Sequence, residues 1–395
     1  MTESIKSSAS ITVLGTLPPL RGLSSYCREF AIAMANTRRV EFLSFKKLYP
    51  SALYPGGKLK EDDSFLPVEH DHLTIRTRLK WYNPLTWLIE GMTATGDMLH
   101  AQWWSLPLAP IYMTLCMCFK LRKKPVVLTV HNVMPHERSR LYKTVSAVLF
   151  RFGNHFIVHT ERNRQQLMAQ YGVSPQRISV IAHGPLEFFT AADKDRKAFR
   201  QELGVSENEK MLLCWGAIRP YKGLDTMLIA FAKILERLPN TRLVIAGKCW
   251  ESWSRYQSLI DQLHIGERLI LYLRYVPAGE AAGYFVAADL VLLPYHHFDS
   301  QSGVGAAAVA FKKPLIVSDT GGLPDFVRNR RWVVPPGNSD VLADVITDCL
   351  SDGRCLDAMA QDSAEIAADL SWSGIVKKTN FVYRHLMRGE AGWDT

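Results

Sequence analysis

The sequence predicts two α/β domains, each built on a parallel β-sheet with helices on both faces. Three observations support this fold class. The chain has 395 residues, which is too long for a single typical core. Short runs of aliphatic and β-branched residues alternate with amphipathic helical patterns along most of its length. A charge-rich stretch, DKDRKAFRQELGVSENEK, interrupts this alternation near the middle and indicates a domain boundary.

In the first half, the apolar runs predict parallel strands and the patterns between them predict crossover helices. The predicted strands are Ile11–Gly15, Met98–Gln102, Pro125–Val130, His155–Thr160 and Ile178–Ala182. The predicted helices are Leu23–Ala35, Arg138–Phe152 and Glu161–Tyr171.

One segment of the first half has the composition of a membrane span. Ala101–Phe119 holds nineteen residues without a charge, and four basic residues lie within Lys120–Lys124. The segment also contains Pro107 and Pro110, and it lies between two predicted strands, where a buried crossover helix is expected. We therefore favour a buried helix over a membrane span.

The second half repeats the same architecture without an obvious sequence repeat. Its predicted strands are Met211–Trp215, Thr241–Ala246, Leu269–Leu273, Leu290–Pro294, Pro314–Ser318 and Trp332–Val334, and an amphipathic pattern at Leu224–Leu235 follows the first of them. Ligands bind at the carboxyl ends of the strands in such sheets. We expect two doubly wound domains that face each other across a cleft.

The charge of the chain indicates which classes of partner it could bind, and its cysteine content indicates its cellular compartment. The formal net charge is +9, which favours an anionic partner such as a nucleotide, an anionic membrane or nucleic acid. A nucleic-acid-binding protein is disfavoured because the chain has no repeated basic and aromatic motif. The seven cysteines are scattered and the N-terminus lacks the long apolar core of a secretory signal. We expect a cytoplasmic protein without a disulfide framework or a zinc site.

The segment GAIRPYKG, Gly216–Gly223, carries the first functional hypothesis. A glycine turn with Arg219 and Lys222 follows a predicted strand and precedes a helix, an arrangement that suits a diphosphate. The same residues are also compatible with a solvated basic turn. A nucleotide ligand is the sharper of the two hypotheses.

A second loop follows the strand Leu290–Pro294 and opens an alanine-rich helix near Gly305. The backbone N–H groups of this loop would point at a diphosphate or at sugar hydroxyls, while Ser300 or Ser302 would cap the helix. His296 and His297 resemble metal ligands, but adjacent residues of an extended segment point to opposite faces and no third ligand is evident. We expect no metal and no separate cofactor.

The motifs GAIRPYKGLDTMLIAFAKI, LVIAGK, AADLVLLPY and SGVGAAAVAFKKPLIVSDTGGLPDFV resemble, in order and spacing, the nucleotide-binding half of retaining GT-B glycosyltransferases of family 4. In the first half, LPPLRGLSSYCREFAIAMA, TVHNVMPHE and ISVIAHGP are similar to loops of the same family. The resemblance implies an acceptor-binding domain at 1–188, a nucleotide-sugar-binding domain at 189–372, and a C-terminal helix, 373–395, that crosses back to the first domain.

The resemblance also implies roles for individual residues. Arg219 and Lys222 would stabilise the charge on the departing diphosphate, and Asp299 and His131 would contact the donor sugar. The nucleotide sugar would further be bound by Gly22, Gly216, Gln301, Ser302, Gly303 and Val304. Arg21, His136 and Glu137 would lie near the acceptor. The chain departs from the family at Ala307, where a second acid usually holds the ribose, so the nucleotide preference of the family does not transfer to it.

The resemblance implies a hexosyltransferase that acts with retention of anomeric configuration. A lipid-linked saccharide of surface-polysaccharide (exopolysaccharide) biosynthesis is the expected acceptor, because Arg76, Arg78, Lys80, Trp81, Tyr82 and Trp87 interleave basic and aromatic side chains that suit peripheral contact with an anionic membrane. A solvated basic face over buried aromatics is equally compatible. Two alternatives remain, a non-catalytic subunit that binds sugar nucleotides and a sugar-nucleotide epimerase or hydrolase.

Overall fold

The computed structural model describes residues 9–20, 23–48, 62, 67–133, 140–191 and 194–388. The chain divides into two compact units, one formed by Met1–Gly184 with Ser371–Thr395 and the other by Pro185–Leu370. The predicted boundaries, after residues 188 and 372, fall a few residues beyond these divisions.

The first unit contains a parallel sheet of seven described strands in the order β3-β2-β1-β4-β5-β6-β7. These strands are β1 Ile11–Leu14, β2 Val40–Lys47, β3 Leu73–Lys80, β4 Met98–Trp103, β5 Val126–Val130, β6 His155–Val158 and β7 Ile178–Val180. The residues of β1, β4 and β5 are all buried. Burial on both faces explains their nearly continuous apolar sequences.

Helices connect these strands and cover the sheet. They are α1 Ser24–Ala35, α2 Pro84–Thr93, α3 Ala109–Leu121, α4 Arg140–Phe150 and α5 Glu161–Tyr171. The uncharged segment 101–119 forms the end of β4, a short 3₁₀ turn and most of α3, whose inner face is buried. Within the described residues, no helix is both long enough and apolar enough to cross a bilayer.

The second unit contains a parallel sheet of six described strands in the order β10-β9-β8-β11-β12-β13. The strands are β8 Lys210–Trp215, β9 Thr241–Ala246, β10 Leu269–Tyr272, β11 Leu290–Leu293, β12 Leu315–Ser318 and β13 Val333–Val334. The helices are α6 Arg196–Glu202, α7 Leu224–Arg237, α8 Ser254–Leu263, α9 Ala278–Ala287, α10 Gly303–Ala310, α11 Ser339–Ser351 and α12 Gly353–Asp369. The predicted α/β class with two Rossmann-like parallel sheets is confirmed.

The last helix, α13 Trp372–Arg388, belongs to the first unit and packs against α1. Its Trp372 is buried beside Gly184, where an added Cβ would lie 2.5 Å from the indole ring. Its Tyr383 is also buried and bonds to His100 of β4. The predicted return of the C-terminal helix to the first unit is therefore confirmed.

Each sheet reverses its winding beside its first strand. In the first unit β1 lies between β2 and β4, and in the second β8 lies between β9 and β11. Ligands of doubly wound sheets bind outside the carboxyl ends of the strands at this reversal. The fold therefore directs attention to the loops after β1 and β4–β6 in the first unit, and after β8 and β11 in the second.

Candidate functional site

In the second unit, the turn after β8 is closed by two glycines in the left-handed region. Gly216 has φ of 97° and Gly223, which precedes α7, has φ of 66°. A Cβ at Gly223 would lie 1.9 Å from the carbonyl oxygen of Pro294. Glycine therefore allows this turn to press against the chain that leaves β11.

Lys222 ends the 3₁₀ turn Pro220–Lys222, and its side chain folds back toward the sheet. Its Nζ lies 3.5 Å from the carbonyl oxygen of Trp215 and 5.5 Å from the ring centre of Tyr295. Burial lowers the pKa of this amine to about 8, and the nearby Arg219 guanidinium also lowers it. The environment of Lys222 thus disfavours its charge in the absence of an anion.

Arg219 is held by aromatic rings rather than by an acid. Its guanidinium carbon lies 5.3 Å from the ring centre of Tyr221 and 5.2 Å from that of Trp250. Throughout the part of the chain that the structure describes, no carboxylate forms an ion pair with Arg219 or Lys222. Two fixed cations without a protein anion are suited to a phosphate-bearing ligand.

The N-terminus of α10 lies beside these cations. The hydroxyl of Ser302 caps the helix, since it accepts hydrogen bonds from the backbone N–H groups of Val304, at 3.2 Å, and Gly305, at 3.4 Å. A Cβ on Gly216 would lie 2.9 Å from Lys222 Nζ and 3.2 Å from Val304 Cγ2. The glycine turn, the buried amine and the positive end of the helix dipole therefore meet at one point.

The loop between β11 and α10 is tied to the loop after β12. The backbone N–H of Phe298 donates to Thr320 Oγ1 at 2.9 Å, and the carbonyl oxygen of Ser300 accepts from Gly322 N at 2.9 Å. Gln301 is buried and its amide donates to Asp325 Oδ2 at 3.4 Å, while Asp299 is half-buried in the same loop. These contacts hold the loop in place beside the cations.

Two further residues of this region, His296 and Ala307, contact neighbouring groups of the protein. His296 Nε2 lies 2.9 Å from Thr226 Oγ1 and 3.3 Å from Asp225 Oδ1, so that its ring ties the loop to the start of α7. Ala307 is wholly buried in α10. Its methyl group offers no hydrogen-bond acceptor for a ribose hydroxyl.

In the first unit, His131 directly follows β5 and is buried. Its Nδ1 lies 3.0 Å from His159 Nε2 and its Nε2 lies 2.9 Å from Gln102 Oε1. Its ring meets the edge of Tyr26 at a centroid distance of 4.7 Å. Both ring nitrogens of His131 are thus engaged inside the unit.

The hydrogen-bond pattern determines where the protons lie. His159 Nδ1 is 2.9 Å from the carbonyl oxygen of Ile181, which can only accept, so His159 carries its proton on Nδ1 and accepts at Nε2. His131 Nδ1–H then donates to His159. With its proton on Nδ1, His131 Nε2 can only accept, and Gln102 Oε1 cannot donate to it. Because hydrogen bonding decides the orientation of an amide, we assign the flipped orientation of Gln102, in which its NH₂ donates to His131 Nε2.

The neutral state of these rings supports that assignment. Burial lowers the pKa of His131 well below its ordinary value, with smaller contributions from His159 and His183. Burial also lowers the pKa of His159 to about 4 and that of His183 to about 3. Three neutral histidines therefore surround Tyr26, whose ring contacts each of them.

Sequence reasoning did not identify His159, His183 or Gln102 as parts of this site. A signal was present, because His131 and His159 each directly follow neighbouring strands, β5 and β6, of the sheet. The carboxyl ends of adjacent parallel strands lie side by side. Histidines placed after successive strands therefore predict a cluster at that edge.

Four residues predicted for the first unit, Arg21, Gly22, His136 and Glu137, lie outside the described residues. Thr16 and Ser24 flank the first two of them. The hydroxyl oxygens of Thr16 and Ser24 are buried and have no hydrogen-bond partner among the described residues.

Comparison with known families assigns both halves of the chain. Residues 195–366 match the family described as glycosyl transferases group 1, and residues 22–184 match glycosyltransferase family 4. The first match contains the turn with Arg219 and Lys222 and the start of α10. The second contains His131, His159 and Tyr26.

Individual relatives and solved structures agree with these matches. The chain is 28% identical over 243 residues to the D-inositol 3-phosphate glycosyltransferase of Corynebacterium glutamicum, a match that covers 59% of this chain and 57% of that protein. The structure of Anabaena Alr3699/HepE in complex with UDP and glucose superimposes with a TM-score of 0.70 at 17% identity, over 97% of this chain and 100% of the other. Sucrose-phosphate synthase from Thermosynechococcus elongatus gives the same values. At such identity the two structures demonstrate a shared fold.

Proposed function

We propose, on the premise that the chain is a glycosyltransferase with the GT-B fold, that it transfers a hexose from a nucleoside-diphosphate sugar to an acceptor hydroxyl. The second unit would bind the nucleotide sugar and the first unit the acceptor. The observation that carries this proposal is the pair Arg219 and Lys222, which faces no carboxylate in the described chain and lies beside the N-terminus of α10.

The proposed reaction breaks the bond between the anomeric carbon and the diphosphate oxygen. Negative charge develops on that oxygen, and cations fixed beside it lower the barrier because they need no rearrangement. Arg219 and Lys222 would supply this charge, and the backbone N–H groups of Gly303 and Val304 would add the field of α10.

We further propose that the anomeric configuration is retained. The acceptor hydroxyl attacks from the face that the diphosphate leaves, and its proton passes to the departing phosphate oxygen. This course needs no catalytic carboxylate pair. Asp299 would contact the donor sugar with its carboxylate. His131 would contact it through its backbone or ring edge, because His159 and Gln102 engage both of its ring nitrogens.

The acceptor proposed here is a lipid-linked saccharide of surface-polysaccharide biosynthesis. Such an acceptor would bring the protein to the inner face of the plasma membrane as a peripheral protein. The basic composition of the chain, with a net charge of +9, supports contact with an anionic surface.

The base of the nucleotide is the open part of the proposal. Anabaena HepE is a structural neighbour in complexes with UDP and with UDP-glucose, which makes uridine nucleotides the first to test. Because Ala307 offers no acid to the ribose, we expect nucleotide affinity to rest mainly on the diphosphate.

A thermal-shift screen with UDP, GDP, ADP and their sugar conjugates tests the proposal, since a ligand that binds only the folded state raises Tm. We expect a shift with one nucleotide and a smaller shift, or none, in Lys222→Ala. If no nucleotide shifts Tm at millimolar concentration, the diphosphate site is wrong and a non-catalytic role gains support. Release of free sugar without any acceptor would instead support a hydrolase.

A further inference from the structure

Helix α2 carries an apolar stripe on its outward side. Leu85, Leu88, Ile89 and Met92 are 68, 45, 55 and 46% exposed, and their spacing places them on one face of the helix. The inward side carries the buried Glu90 and Gly91. This distribution is the reverse of that on a solvated surface helix.

The stripe continues onto neighbouring residues. Trp81 and Tyr82, in the turn before α2, are 38 and 50% exposed, and Met117 and Leu121 of α3 are 42 and 70% exposed. We use the name α2 face for these four residues together with the four of the stripe. A contiguous apolar surface of this kind usually marks an interaction site.

The α2 face is held firmly in place. A Cβ on Gly91 would lie 2.8 Å from Cys118 Sγ, so α2 packs closely on α3. Arg122 donates to the carbonyl oxygens of Gly91 and Ala94 at the end of α2. Exposure of the stripe is therefore a property of the packed unit and not of a loosely attached helix.

Basic residues outnumber acidic residues in the segments that carry the α2 face, and both acids of these segments are engaged by other protein groups. Residues 73–124 contain seven lysines and arginines but only two acids, Glu90 and Asp97. Glu90 is 2% exposed and pairs with Arg76 at 2.7 Å, while Asp97 bonds to Ser10. Arg78 keeps 71% of its side chain exposed, and Lys47 Nζ lies 5.9 Å from the ring centre of Tyr82.

We propose that the α2 face docks on the surface of an anionic lipid bilayer, with its apolar stripe in the headgroup region and the surrounding cations on lipid phosphates. This inference deepens the proposed function, because it names the surface through which a lipid-linked acceptor is reached. Apolar residues with Trp and Tyr at their edge and basic residues around them have the composition of interfacial helices. The charge pattern favours a bilayer over a second copy of this equally basic chain.

Two of the residues that the sequence analysis named for membrane contact, Arg76 and Trp87, do not belong to the α2 face. Arg76 is withdrawn from solvent by Glu41 and Glu90, and Trp87 is half-buried with its Nε1 donating to the carbonyl oxygen of Lys80 at 2.7 Å. Neither side chain faces outward. Arg78, Trp81 and Tyr82 remain parts of the surface.

The test is co-sedimentation of the full chain with two kinds of vesicle. One contains phosphatidylcholine alone, and the other also contains about 30% phosphatidylglycerol, an anionic fraction on the order of that in biological membranes. We expect binding to the anionic vesicles that weakens as salt is raised, and at least a tenfold loss in Leu85→Ser/Ile89→Ser. The matched control is Leu141→Ser/Val148→Ser, which removes exposed apolar residues of the same unit outside the α2 face and should bind as the parent does.

Several outcomes would overturn the proposal. They are absence of vesicle binding, equal loss in both double variants, and a concentration-dependent dimer, abolished by Leu85→Ser/Ile89→Ser, in place of lipid binding. The nucleotide thermal shift of the same variants separates this proposal from the proposed function. A variant that no longer binds vesicles but keeps the nucleotide-induced rise in Tm supports the docking surface. Vesicle binding without any nucleotide-induced rise in Tm would contradict the proposed diphosphate site and leave the docking surface supported.

Discussion

His159 Nε2 lies 3.0 Å from His131 Nδ1 inside the first unit, and this contact fixes the proton of His131 on Nδ1. The bond belongs to a longer chain. Tyr383 of α13 bonds to His100, whose other nitrogen lies 2.6 Å from Thr129 Oγ1 and 3.4 Å from the amide of Gln102. Gln102 then reaches His131. The returning helix is therefore connected, through buried hydrogen bonds, to the loop that follows β5.

We expect His159→Leu to lower turnover while leaving nucleotide binding intact. Leucine cannot accept the His131 proton, and a buried donor left unpaired costs about 1–3 kcal/mol. His159→Gln, whose amide has both a donor and an acceptor, should recover part of the activity. Steady-state kinetics and nucleotide titration of both variants provide the measurement.

The control for this prediction lies on the same strand. His155 begins β6 and its Nε2 lies 2.9 Å from Ser179 Oγ, at the opposite end from His159. His155→Leu should destabilise the unit without changing the turnover of the remaining folded protein. Equal losses of turnover in the two leucine variants would show that His159 has a structural role only.

Stability should decrease as the pH is lowered from about 6.5 toward 4. Burial lowers the pKa of His159 to about 4 and those of His100 and His183 to about 3, from an ordinary value of 6.5. The unfolded chain therefore binds protons in this window while the folded chain does not, which favours unfolding by up to about 1.4 kcal/mol per pH unit for each histidine.

Urea unfolding at pH 7.0, 6.0 and 5.0, roughly the range above carboxylate titration, measures this dependence. His159→Gln should reduce the slope because one titrating group is removed. A free energy of unfolding that does not change between pH 7 and pH 5 would contradict the neutral cluster.

Gly216→Ala should weaken nucleotide binding in addition to the loss of stability that backbone strain causes. Its φ of 97° strains any other residue, and the new methyl group would lie 2.9 Å from Lys222 Nζ. Gly204→Ala is the matched control in the same unit, since Gly204 has φ of 71° and no atom within 4 Å of an added Cβ.

Both alanine variants should lose about 1–3 kcal/mol of stability through backbone strain. In Gly216→Ala alone, the displaced Lys222 should also weaken the nucleotide, as measured by thermal shift or calorimetry. Unchanged nucleotide affinity in Gly216→Ala would show that the turn does not bind the diphosphate.

The sequence predicted the central strands and several helices closely, because burial on both faces leaves a continuous apolar run. Thr241–Ala246 and Glu161–Tyr171 have the bounds that were predicted. The strands β2 and β3 and the helix α2 were not predicted. β3 is an edge strand, and Arg76 and Arg78 interrupt its apolar residues. The helical spacing of Leu85, Leu88, Ile89 and Met92 was a signal for α2 that the sequence reasoning did not use.

The candidate site was predictable to a similar degree. Gly216, Arg219 and Lys222 are close in sequence and follow one strand, so their proximity needed no knowledge of the fold. The bonds of His131 to His159 and Gln102 join residues 28 and 29 positions apart. Their formation depends on the order of strands in the sheet, which the residues alone did not provide.

Lys222→Met should abolish transfer and preserve folding. Loss of one cation that stabilises the departing diphosphate lowers turnover by about 100-fold or more. Methionine fills a similar volume, and it removes an amine whose charge burial disfavours, so Tm without ligand should stay the same or rise. Lys233→Met, on the exposed side of α7, is the control and should keep its activity. Undiminished transfer in Lys222→Met would refute the assignment.

The pKa of Lys222 predicts an alkaline limit to activity. In the folded protein this amine loses its proton near pH 8, instead of near 10.5, and the neutral form cannot stabilise a departing diphosphate. Because kcat/KM reports the groups of the free enzyme, it should fall as the pH rises through about 8. The unfolded chain keeps that proton longer, so the same shift makes stability increase over this range. Lys222→Arg keeps its charge and should move the limit to higher pH if it retains activity. A limit that stays near pH 8 in an active arginine variant would assign the titration to another group.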